Sequence, residues 1–180
     1  MNKKISLKSF TIISIIFTII VGTLLHFVYE WSNNNIVAGI FGAINESTWE
    51  HLKILFIPML ITTIVGYYYY KDIPNYLCNK TKGILLALSF IVIFFYTYSG
   101  IIGTNFAFIN ILSFIVAIVI GEIYTYRKIK SNTDCNNFVS IIILLILSLS
   151  FIAFTFKPLP IGLFKDPISQ TYGIFKYTKK

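Results

Sequence analysis

Five ionisable residues fall in two short strings of an otherwise apolar chain. H-F-V-Y-E-W (26–31) carries His26 and Glu30, and N-E-S-T-W-E-H (45–51) carries Glu46, Glu50 and His51. Together they hold both histidines and three of the seven acids. Imidazole nitrogens and carboxylate oxygens in this mixture suit zinc, iron or manganese. His26, His51 and Glu46 are the candidate ligands of a divalent transition metal such as zinc. Glu50 or Glu30 would then be the general base acting on a metal-bound water, whose pKa zinc brings to about 7. No H-E-x-x-H or H-x-x-x-H occurs, so the set rests on clustering and not on a complete ligand motif. The other reading is non-catalytic: a polar site that binds a small ligand or partner, with the same groups hydrogen-bonded to lock two helices.

These residues need helices to position them. Gly22, His26 and Glu30 repeat at i, i+4, i+8 and share one helix face, where glycine permits close approach of a neighbour. Ser47-x-x-Glu50 is a capping box, in which serine caps a helix and glutamate reaches back to the serine N–H. If Asn45 is the cap instead, Glu46 and Glu50 stack as like charges, with Lys53 close enough to intervene. Further polar groups fall at the same level: Tyr96 to Ser99, Thr104, Asn105 and Asn110, and the tail residue Asp166. Tyr29, Asn45, Asn105, Asp166 and Tyr172 are the candidate ligand-binding residues.

The remainder of the chain is hydrocarbon. Of 180 residues, 56% are hydrophobic and 12% charged, against about 25% charged in soluble domains. Five runs, roughly 9–29, 52–70, 83–100, 104–126 and 138–156, approach the ~20 residues that span a bilayer as a helix. The expected fold is all-α, a polytopic integral membrane bundle of five transmembrane helices in one domain over 1–180. The first run exceeds a signal-peptide core and no A-x-A site follows, so it reads as a retained anchor. Pro58 frees the carbonyl of Ile54 within the second run. Gly100-Ile-Ile-Gly103 reads as the short link of an antiparallel hairpin.

A net charge of +8 invites a nucleic-acid partner, but the basic residues cluster at span ends, where they set orientation. Lys3, Lys4, Lys8, Lys71, Lys80, Lys82, Arg127, Lys128 and Lys130 lie on one side. The expectation is N-in/C-out in the cell membrane, with the functional face extracytoplasmic, membrane lipids as partners and no nucleic acid. Cys78 and Cys135 then fall in cytoplasmic loops and are expected as free thiols. Glu122, near Tyr126 and Arg127, reads as an interfacial pair. The tyrosines at span ends read as an aromatic belt. The tail, 157–180, carries Pro158, Pro160 and Pro167 with Ile161, Leu163, Phe164 and Phe175, and is expected to fold back over the outer mouth.

H-F-V-Y-E-W, N-E-S-T-W-E-H-L-K and P-L-P-I-G-L-F-K-D-P…Y-G-I resemble strings of a family of small bacterial multi-pass membrane proteins of unknown function. The shared positions are His26, Tyr29, Glu30, Trp31, Asn45, Glu46, Ser47, Trp49, Glu50, His51, Lys53, Asp166, Pro167, Tyr172 and Gly173. The resemblance covers essentially the whole chain and implies a bacterial inner-membrane protein. It implies no activity.

Overall fold

The computed structural model describes residues 5–131 and 135–174. Phe175 of the expected tail cluster lies outside them. Six α-helices follow in order: α1 (Leu7–Trp31), α2 (Ile36–Phe41), α3 (Thr48–Tyr69), α4 (Tyr76–Ile102), α5 (Ala107–Lys130) and α6 (Asn137–Phe156). All but α2 are long and apolar enough to cross a membrane. No strand forms among the described residues; Lys165 and Tyr172 make an isolated bridge. The outer sides of α1 and α6 expose Ile12, Ile16, Ile20, Leu145, Ile146 and Leu149. Such surface is stable against lipid and not against water.

Helix α3 is the centre of the bundle, packed by α1, α4 and α6. More than half of its apolar window is buried, 56%, against 17–28% in the other four long helices. Leu55, Phe56 and Met59 join Ile84, Ala87, Ala117, Ile118 and Phe151 in one core. Close crossings are made by glycine. A Cβ on Gly22 would sit 2.6 Å from the Phe114 ring and 3.0 Å from the Ile54 carbonyl oxygen. That carbonyl is the one Pro58 deprives of its helical donor, and the α1 backbone packs against it. Helices α4 and α5 form the expected antiparallel hairpin, but Gly100 is helical and the turn comes later. Gly103, at φ +81°, ends α4 in the left-handed conformation that glycine tolerates.

At the far end of this hairpin the structure corrects three sequence expectations. Glu122 does not pair with Arg127 at the interface. It is buried and receives two hydrogen bonds from Lys80, at 2.6 and 2.8 Å. Cys78 and Cys135 are not free thiols but joined in a disulfide. Asn137 reinforces that junction, accepting from the Cys78 N–H and donating to the Pro74 carbonyl. Tyr76 is no belt residue either: it is fully buried with Phe10 and Tyr70, while Tyr67, Tyr68 and Tyr69 remain exposed.

The segment between α1 and α3 contains α2. Asn35 caps it through the Val37 N–H. Gly42 admits the chain against the Leu25 carbonyl, 2.8 Å from where a Cβ would stand. Residues 157–174 of the tail turn back toward the start of α3. Phe164 is buried against Trp49 and Phe154, and Leu163 packs on the core, although Ile161 stays exposed. Asn45 donates to the Gly173 carbonyl and ties the tail to the start of α3.

Candidate functional site

The ends of α1, α4 and α6, the starts of α3 and α5, helix α2 and the tail all converge at one end of the bundle. Ser47 caps α3, accepting from the Glu50 N–H. The reciprocal half of the capping box is absent. Asn45 takes the Ser47 N–H, and Glu50 turns inward to accept from the Ile44 N–H. One turn of helix therefore sends Glu50 into the core and His51 toward α1.

His26 from α1, Glu46 from the loop before α3 and His51 from α3 come together. Their ligand atoms all lie within 4.8 Å of one another. His26 Nε2 and His51 Nε2 approach the same Glu46 oxygen, Oε2, at 3.6 and 3.5 Å. Both distances exceed the ~2.7–2.9 Å of a charge-assisted hydrogen bond. They match the roughly 3.3–3.5 Å that separates two ligands on a tetrahedral zinc with bonds of about 2.0–2.2 Å. His51 Nδ1 lies 2.9 Å from the Ser47 carbonyl oxygen. A carbonyl only accepts, so Nδ1 carries a proton, and in the neutral form of the ring the Nε2 lone pair faces Glu46. Two lone-pair-bearing atoms facing each other call for a cation or a proton between them. His26 beside the Glu46 carboxyl, together with the charge of His51, holds it below the ordinary carboxylate range, while partial burial opposes the shift.

Two adjoining cavities share this cluster. One, of about 300 Å³, lies between α3, α4, α5 and the tail, with Asn105, Asn110, Ser113 and Thr48 among its walls and Pro167 and Ile168 from the tail. The other, of about 390 Å³, lies between α1, α3 and α5, lined by Thr23, Phe27, Ile54 and Ile111. Glu46, His51, Ala107, Asn110 and Phe114 belong to both. Asn110 is fixed by the Tyr98 hydroxyl, which donates to its amide oxygen.

The remaining sequence candidates sit elsewhere. Glu50 is 2% exposed, and its oxygens are taken by Lys53 at 2.6 Å, Thr155 at 3.0 Å and the Ile44 N–H. Lys53, fully buried, also donates to the Gly39 carbonyl and to Thr155. This network ties α2, α3 and α6 together and holds Glu50 in the core, away from both cavities. Glu30 is exposed on α1, one turn beyond His26. Tyr29 is buried against Gly39. Asp166 accepts from Ile168 and Ser169 N–H groups and shapes the tail turn. Tyr172 pairs with Lys165. Of the candidate ligand-binding residues only Asn105 lines a cavity. Ala107, Ile111 and Phe114 carried no sequence signal, because apolar residues on an apolar helix look alike until their faces are known.

The family described as "Family of unknown function (DUF6512)" matches residues 1–174. The chain belongs to this family. The match spans α1 through the tail turn, so the His26–Glu46–His51 cluster and both cavities fall inside it. No curated protein and no solved structure matches the chain.

Proposed function

We propose that this chain is a multi-pass protein of the bacterial inner membrane, N-terminus inside, whose outward end binds a small ligand through a divalent transition metal such as zinc. His26, Glu46 and His51 are the ligands. The observation that carries this reading is the approach of two imidazole nitrogens to one carboxylate oxygen at 3.5 and 3.6 Å, with the His51 tautomer set by a backbone carbonyl. Three protein ligands leave a fourth tetrahedral position, as in catalytic and ligand-binding zinc sites. Here that position would open on the shared wall of the two cavities. The orientation rests on the basic clusters at the opposite end.

The deciding experiment is elemental analysis of untagged protein purified without added metal. About one equivalent of a transition metal is expected, lost when His26→Ala is combined with His51→Ala. Less than about 0.2 equivalents in the wild type, unchanged in the double variant, overturns the metal site.

The open position favours a second reading, metal-assisted hydrolysis or transfer on a lipid-like substrate. Glu30, exposed one turn beyond His26 and outside both cavity linings, is then the remaining candidate for general base, since Glu50 is buried with Lys53, Thr155 and the Ile44 N–H. Hydrolysis of a fluorogenic fatty-acyl ester by the zinc-loaded protein, lowered about 100-fold by Glu30→Gln at unchanged zinc content, is the expected result. An unaltered rate removes Glu30 from that role.

A further inference from the structure

The two cavities differ in chemistry as well as place. The smaller adds Asn105, Ser113 and Thr48 to the shared Asn110, among apolar walls that include Ile91, Phe95 and Pro167. Beyond the residues common to both and His26, the larger is walled by Gly22, Thr23, Phe27, Ile54 and Ile111. Its rim is open on the outer side of the bundle, where Phe27 is 41% and Ile111 61% exposed. On membrane-spanning helices that outer side is hydrocarbon. In a bilayer the larger cavity would therefore open sideways to lipid between α1 and α5, while the smaller lies against the tail residues Pro167 and Ile168. The metal cluster stands where they meet. No lysine or arginine lines either cavity among the described residues, so a phosphate head would have its charge met by the metal alone.

We infer that the ligand is a single-chain amphiphile with a neutral, oxygen-bearing head, of the monoacylglycerol or fatty-amide class. Its chain lies between α1 and α5 and its head lies beneath the tail. A carbonyl oxygen at the junction of head and chain takes the open position beside His26, Glu46 and His51. Asn105 and Asn110 supply donors and acceptors to the head, which is the division of labour usual in ligand sites: mostly apolar walls with a few placed polar groups. This inference rests on the metal reading for the junction, but the two chambers test it separately.

The test uses full-length, zinc-loaded protein in detergent and native mass spectrometry, with 1-monooleoylglycerol as probe and oleoyl lysophosphatidate as the anionic comparison. Ile111→Trp and Thr23→Trp fill the chain chamber from opposite walls, both at exposed positions. Asn105→Ala strips a group that lines only the head chamber and releases the Asn110 amide it accepts from. A one-to-one monooleoylglycerol adduct is expected on the wild type, weakened about tenfold in each variant at unchanged zinc content. It is overturned if the wild type forms no such adduct, if both tryptophan variants bind as the wild type does, or if lysophosphatidate binds as tightly. A wild type that takes the adduct but holds no zinc supports the chambers and removes the metal alone.

Discussion

Glu46 and Glu50 are four residues apart and meet opposite fates. Glu46 shares an oxygen with two imidazoles beside open space, and Glu50 is sealed in with Lys53. Because the Glu46 pKa is depressed in the folded protein, its stabilising contribution is present above its ordinary value of 4.5 and is lost as pH falls below that toward the folded pKa. Metal-stripped wild type in detergent should lose thermal stability over that acid window more steeply than Glu46→Gln; parallel curves would show the histidines do nothing for this carboxylate. For Glu50, removal of its partner in Lys53→Met strands a buried charge. A loss of about 3–5 kcal/mol is expected, with the metal content of folded protein retained. Stability near wild type would mean that the buried pair does not hold α3 in place. The sequence brought His26, Glu46 and His51 together by clustering alone. It did not separate the two glutamates, because the choice depends on which backbone N–H each reaches. Asn45 had already taken the Ser47 N–H.

Helices α4 and α5 cross at Gly83 and Gly121, where a Cβ on either would lie 2.6 Å from the other's backbone, the Gly121 or Gly83 carbonyl oxygen. Backbone oxygens cannot turn aside as side chains do. Gly121→Leu should therefore cost about 1–3 kcal/mol or more through overpacking, read as thermal unfolding in detergent, and Gly100→Leu, which meets nothing within 4 Å, should not. Equal effects would show that the crossing is loose. One turn along, the buried Lys80–Glu122 pair makes a separate prediction. Glu122→Leu alone should destabilise by about 3–5 kcal/mol, and adding Lys80→Met should recover most of it. The five long helices were legible from hydropathy because lipid exposure imposes an unbroken apolar run. Their ends were placed less closely, and α2 was not found, since six residues with an asparagine cap look like a loop. The Lys80–Glu122 pair lies across two helices, and nothing in either helix alone announces it.

At the scale of the molecule the two ends of the bundle are built for different purposes. One holds the cavities, the tail and the histidines. The other is pinned by Lys80–Glu122, the aromatic group of Phe10, Tyr70 and Tyr76, and the disulfide. In the proposed orientation the basic clusters face this second end inward, whereas disulfides persist in oxidising compartments. The free-thiol expectation failed because it rested on compartment and not on where the two cysteines meet. With the N-terminus inside, an alkaline phosphatase fusion after Ser32 should be active and one after Ser131 inactive. The reverse pattern would turn the molecule over and place the site in the cytoplasm. The Cys78–Cys135 bond also closes a loop of 57 residues around most of α4 and all of α5. Stretched between its two ends in a force-spectroscopy trace, the chain cannot pay out that loop. Its final contour should fall about 200 Å short of the fully extended polypeptide and gain that length only when a reductant is added.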